Sequence, residues 1–131
     1  MATGNYDSDD YMTDDNSQKM GEFFGAQPYS ERIKAAFNSS HVAEPGSRWV
    51  YRTSDTFILT RALNNYLQTQ QASDSDIFQF VVDEVYRPLG IGPGAYTTMR
   101  TADQNWHGQA EGGYGLWWIP DDIAKIGRAH V

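Results

Sequence analysis

The stretch from Glu44 to Leu63, EPGSRWVYRTSDTFILTRAL, gathers the chain's best side chains for chemistry. A Pro-Gly turn leads into an aromatic and apolar run that ends in Tyr51. Arg52, Thr53 and Ser54 follow, and then a segment with helical apolar spacing. A tyrosine at a helix mouth serves either packing or proton transfer. A free phenol titrates near ~10, so a tyrosine that acts as a base near neutrality needs a positive charge beside it. Arg52 reads as either solvated or paired with a nearby acid.

Other nucleophilic arrangements are weaker. A hydrolase needs an activated nucleophile with a base in hydrogen-bond reach. His41, His107 and His130 are present, but there is no G-x-S-x-G elbow. There is no S-x-x-K either, since Lys19 follows Asn16 and Lys34 follows Glu31 at that spacing. No H-x-x-x-H or H-E-x-x-H pair exists, and with no cysteine there is no thiolate ligand. The acidic run with Asp7, Asp9 and Asp10 lacks the alternating oxygen ligands, central glycine and distal glutamate of a calcium loop. It reads as solvated loop. The residues therefore call for no metal and no cofactor.

These residues must be held by a modest fold. A chain of 131 residues suits one domain, and 40% hydrophobic with 14% aromatic residues is enough for a core. A net charge of −7 without clustered Lys or Arg argues against a nucleic-acid partner. No apolar run of ~18 residues is present, so no membrane segment is expected. Nor is there a basic and apolar leader at Met1.

Residues 1–16 read as loop. Met20, Phe23 and Phe24 share a helical face, capped by Asn16 or Ser17 and ended by Pro28. YSERIKAAF predicts a second helix, begun by Ser30 and closed near Asn38 and Ser39. From Thr53 or Ser54 as cap, Phe57, Ile58, Ala62, Leu63, Tyr66 and Leu67 predict a long helix. Ser75 is the expected cap of the next, with Ile77, Phe78, Val81, Val82 and Val85 as its buried stripe and Pro88 and Gly90 as its stop. Residues 90–115 read as a long ordered loop, a feature usually tied to function. Pro120, followed by Asp121 and Asp122, opens a last helix. Trp106, Trp117 and Trp118 are candidates for a cleft or for core.

PGSRWVYRTSDTFILTRAL resembles the penicillin-recognising serine hydrolases, the family of class C β-lactamases, D-Ala-D-Ala carboxypeptidases and esterases. There a PG-x-x-[FW]-x-Y-S-N segment opens the helix that carries the Y-x-N motif. VVDEVYRPLGI is similar to the family's helix and PLGM turn. AEGGYGLWWIPDDIAKIG is similar to its GGGGL-x-[ST]-x-x-DLARFG segment, and MATGNY to its LLTHTSGL segment. The resemblance covers nearly the whole chain in the family's order. It implies an α+β parent with an antiparallel sheet and a helical subdomain, of which this chain would be a mostly α-helical piece with long loops.

What the resemblance implies chemically is an acyl-enzyme on the serine of an S-x-x-K helix, with an amide or ester as small-molecule substrate. Tyr51 is then the catalytic tyrosine. Thr53 stands where the family has Asn, and a hydroxyl cannot offer an amide's donor and acceptor together. With Asp55 behind it, that change is similar to the esterase and amide-oligomer branch. Gly112, Gly113 and Gly115 fall on the rim of the site. The S-x-x-K serine and lysine and the K-T-G or H-x-G strand have no counterpart in these residues, so the piece alone is expected to be inactive. The alternatives are a non-catalytic relative that binds peptide or cell-wall ligands, and a helical binding module. Family members are often periplasmic or extracytoplasmic; the residues themselves fix neither compartment nor oligomeric state.

The tail IGRAHV back-translates as ATC GGA AGA GCA CAC GTC, the start of a common sequencing-library adapter. Residues 126–131 are accordingly expected to be a non-native tail on a partial domain spanning 1–125. A natural codon string in the raw read would refute this.

Overall fold

In the computed structural model the described residues are 2–6, 12–26, 28–38, 41–101 and 108–129, with the side chains of Tyr29, His41 and Val42 left aside. The acidic run at Asp7, Asp9 and Asp10, together with Ser39, Trp106, His107 and His130, lies outside them. The fold is mostly helical, with 51% of the chain in helices, as the apolar spacing implied.

Two short strands, β1 (Asn5–Tyr6) and β2 (His41–Val42), pair antiparallel with Asn5 opposite Val42 and Tyr6 opposite His41. The N-terminal stretch is thus more than loop. Tyr6 is fully buried, and its hydroxyl donates to the Arg48 carbonyl at 2.8 Å. Gly4, at φ +80°, lies so close to the Ala43 carbonyl that a Cβ would collide with it. Residues 2–6 therefore lie against the Pro-Gly turn.

Helices α1 (Gln18–Gly25) and α2 (Tyr29–Phe37) form a hairpin. Ser17 caps α1 by accepting from the Met20 N–H. Helix α2 begins two residues earlier than a Ser30 cap would place it. Pro28, not Ser30, is its cap residue, because the fixed φ of proline already suits a helix entry. Met20 and Phe23 of α1, Ala36 of α2 and Phe57 of α3 (Thr53–Gln70) make the first apolar core.

Helix α3 forms as its apolar spacing predicts, but only part of that apolar set is buried. Phe57 and Leu67 are buried, but Leu63 and Tyr66 are 47% and 65% exposed, and Leu59 is exposed with them. Thr53, Ser54 and Asn64 are buried in their place. The inward face is therefore part polar, and an apolar row at Leu59, Leu63 and Tyr66 is left facing out, spaced as one side of a helix.

Helix α4 (Ile77–Val81) is capped by Asp76, not Ser75, through the Gln79 N–H. It widens into a π turn over Val82–Tyr86, closed by Arg87 N–H to the Val82 carbonyl. Of the expected buried stripe only Val82 is buried; Ile77, Phe78 and Val81 are half-buried, and across the π turn Tyr86 faces inward while Val85 is 40% exposed. Val82, Tyr86, Ile91 and Ala95 form a second core, against which Trp118 and Ile126 pack.

The stretch expected as loop contains a 3₁₀ turn at Pro93–Ala95 and two antiparallel bridges, Thr98–Leu116 and Arg100–Ala110, which fold it back on itself. Helix α5 (Pro120–Ala129) starts at proline as predicted and runs through the first four residues of the suspected tail. No helix of the described residues is long and apolar enough to cross a membrane.

The two cores are joined by polar side chains. Asn64 accepts from the Ile77 N–H at 2.8 Å and donates to Gln109 at 3.2 Å, and Arg61 reaches the same Gln109 oxygen at 2.7 Å. Arg100 grips Asp76 with two hydrogen bonds, at 2.7 and 3.1 Å, and holds the Gly108 carbonyl at 2.9 Å.

Candidate functional site

Residues 49–52 are extended, so their side chains alternate between the two faces. Val50 and Arg52 point in and are buried; Trp49 and Tyr51 point out. The register is fixed by a parallel bridge to Thr13, in which the Tyr51 N–H donates to the Met12 carbonyl at 2.8 Å and the Tyr51 carbonyl accepts from Asp14 at 2.9 Å. The phenol ring is 45% exposed and stands 6.3 Å from the Trp49 ring. Among the described residues the phenol oxygen has no hydrogen-bond partner.

Arg52 is not solvated. Its guanidinium is fully buried, donates to the Asn5 carbonyl at 2.6 Å and to Ser54 Oγ at 2.8 Å, and lies 3.9 Å from the Asp14 carboxylate. Its charge is thereby spent on holding β1 and the α2 terminus to the start of α3, on the face opposite Tyr51.

The cap of α3 comes from elsewhere in the chain. Neither Thr53 nor Ser54 caps it; both are already helical, and Arg52 is the cap residue without a side-chain cap bond. Asp15 substitutes across space. One carboxylate oxygen accepts from the Thr53 N–H at 2.8 Å and the other accepts from the Thr53 hydroxyl. That carboxylate also sits at the positive end of the helix. In the first turn, burial lifts the Asp55 carboxyl above its usual range, against the pull of the Thr3 hydroxyl and the Arg52 charge.

The glycine segment lies on this same helix end. A Cβ on Gly113 would sit 2.6 Å from Thr53 Cγ2 and 2.8 Å from the Thr53 carbonyl oxygen. Gly112, at φ +70°, faces Thr60, and Gly115, at φ +82°, faces Met99. Gly113 therefore rests on Thr53 at the N-terminal end of α3, two positions after Tyr51, and Gly112 rests on Thr60 farther along the helix. Gly115 is farther along, on the bridge to Met99, whose N–H donates to its carbonyl at 3.0 Å.

A clamp that sequence reasoning missed fixes the glycine segment from behind. Arg32 of α2 forms a buried ion pair with Glu111 and donates to the Tyr114 hydroxyl at 3.0 Å. Its Nε also donates to the Ala26 carbonyl at 2.8 Å. Among the described residues the buried Glu111 Oε2 has no hydrogen-bond partner, and burial raises the carboxyl above its ordinary value while Arg32 pulls it back in part. Arg32 shares the inward face of α2 with Ala36, four residues on, which was the available signal. For Asp15 no local pattern exists, because its partner is 38 residues away.

Among the described residues no group of three or more His, Asp and Glu converges as a metal site. Trp117 is 58% exposed, and Trp118 stacks edge-on against Tyr86 in the second core. Comparison with protein-family models, with curated proteins and with solved structures gave no significant match.

Proposed function

We propose that this chain is the tyrosine-bearing helical part of a serine hydrolase that cleaves an amide or ester through an acyl-enzyme. The observation that carries the reading is convergence. Two segments some sixty residues apart, each of which resembles the family on its own residues, meet at one helix end, where Gly113 rests on Thr53, two positions after the outward-facing Tyr51. In this reading a serine from an S-x-x-K segment attacks the carbonyl, and its proton passes to the Tyr51 phenolate, kept charged by the lysine of that segment. The same phenol then returns the proton to the departing amine or alcohol, and water hydrolyses the acyl-enzyme. Thr53 and the glycines form the rim. The parent would be an α+β protein whose sheet covers part of the exposed apolar surface.

A second reading is a relative that has lost catalysis and binds peptide or cell-wall ligands. It is favoured by Thr53, which replaces the family's Asn and has its hydroxyl committed to Asp15.

The upstream reading frame of the gene separates the two. An S-x-x-K segment, with its serine labelled by a fluorophosphonate or penicillin probe in the expressed full-length protein, supports the enzyme. A full-length gene without that segment supports the binder.

A further inference from the structure

The second core opens onto a cavity of about 310 Å³ between the 3₁₀ turn, the Trp117–Ile119 segment and the start of α5. Its walls are apolar, with Pro93, Trp117, Trp118 and Ile119 prominent, and its polar wall is the carboxylate of Asp122, a residue only 2% exposed. Small-molecule sites have this makeup, a mostly apolar hollow of roughly 300–1,000 Å³ with few fixed polar groups.

The two oxygens of Asp122 are unequal. Oδ1 accepts from the Gly92 N–H at 3.1 Å and from Lys125 Nζ at 3.0 Å. Among the described residues Oδ2 accepts no hydrogen bond, and it lies 3.2 Å from the point where Gly92 would carry a Cβ. Lys125 cannot serve it. Its ammonium has three donors, and all three are spent, on Asp122 Oδ1, on Asp121 at 3.0 Å and on the Gly90 carbonyl at 2.8 Å. One cation is shared by two carboxylates, so Asp121, Asp122 and Lys125 together keep a net negative charge beside the cavity, within a chain that is itself acidic. Aromatic faces add to the attraction for a cation.

We infer that this cavity binds a small organic ammonium that carries an apolar arm, its N–H donating to Asp122 Oδ2 and its arm lying against Trp117 and Pro93. The site uses none of the residues around Tyr51 and stands or falls apart from them.

Calorimetric titration of the 131-residue chain with butylammonium, 1-butanol and butyrate at equal ionic strength tests it, with NMR shifts of the Gly92 and Gly94 amides to locate binding. Butylammonium is expected to bind at least about tenfold tighter than butanol, and butyrate not at all. Trp117→Ala, at an exposed position, should weaken butylammonium several-fold while leaving helicity unchanged. Asp122→Asn should erase the preference over butanol. If that variant loses helicity, the Trp117→Ala and butanol comparisons decide. Equal binding of butanol, no saturable shift at Gly92 and Gly94, or butylammonium affinity untouched by Trp117→Ala would each overturn the inference.

Discussion

Gly113 touches both the side chain and the carbonyl of Thr53, so any Cβ there must push the glycine segment off α3. Gly113→Ala is expected to cost about 1–3 kcal/mol, the usual range for overpacking a tight contact. Gly21, in the exposed middle of α1 with nothing near its Cα, is the matched control. There alanine should stabilise by roughly 0.5–1 kcal/mol through helix propensity. Thermal melts of the two variants should move in opposite directions. At this scale the sequence revealed where glycine, tyrosine and proline stand, and alternation along Trp49–Arg52 explains why Tyr51 faces out. It did not reveal that Arg52 is buried, because an arginine next to a helix start is usually solvated. The Asn5 and Ala36 carbonyls, Ser54 and Asp14, contributed from three distant segments and one near, help make its burial tolerable.

The helices were legible as elements because apolar spacing and punctuation agree, as in Ser17 before α1 and Pro120 opening α5. Their caps and faces were less legible. Asp15 supplies the cap of α3 from a separate turn, and Asp15→Ala is predicted to cost about 1–2 kcal/mol. Hydrogen exchange should quicken at the α3 N-terminus in that variant, while the α1 amides keep their protection. Unchanged exchange at Thr53 and Ser54 would mean that the capping bond contributes nothing. The part-polar inward face of α3 has a related cause. Leu63 and Tyr66 are apolar, yet Asn64 turns inward, because the neighbouring Ile77 N–H and Gln109 need partners that no apolar residue supplies. Such needs arise only once distant segments have come together.

Across the molecule, two small apolar cores are bound by a polar seam, and Asp76 is its hinge point. Burial works against the Asp76 charge, but the Arg100 bonds and the N–H of Gln79 outweigh it and hold the carboxyl below the usual aspartate range. A carboxylate depressed in the folded state contributes stability above its unfolded pKa and loses it as pH falls through the folded value. Asp76→Asn should therefore lower stability by roughly 1–3 kcal/mol near pH 6, and denaturant melts should show the gap to wild type closing below pH 3.8. The mostly helical class followed from the sequence; the seam did not, since its members are polar residues scattered from Arg61 to Gln109. On the proposed reading, the exposed row at Leu59, Leu63 and Tyr66 is surface for the parent's sheet to cover. The central claim concerns Tyr51, and one rate tests it most directly: acylation of the S-x-x-K serine in the full-length protein, compared between wild type and Tyr51→Phe. A proton-handling phenol predicts labelling slowed by ~10²-fold or more with the fold intact. An unchanged rate would contradict the account.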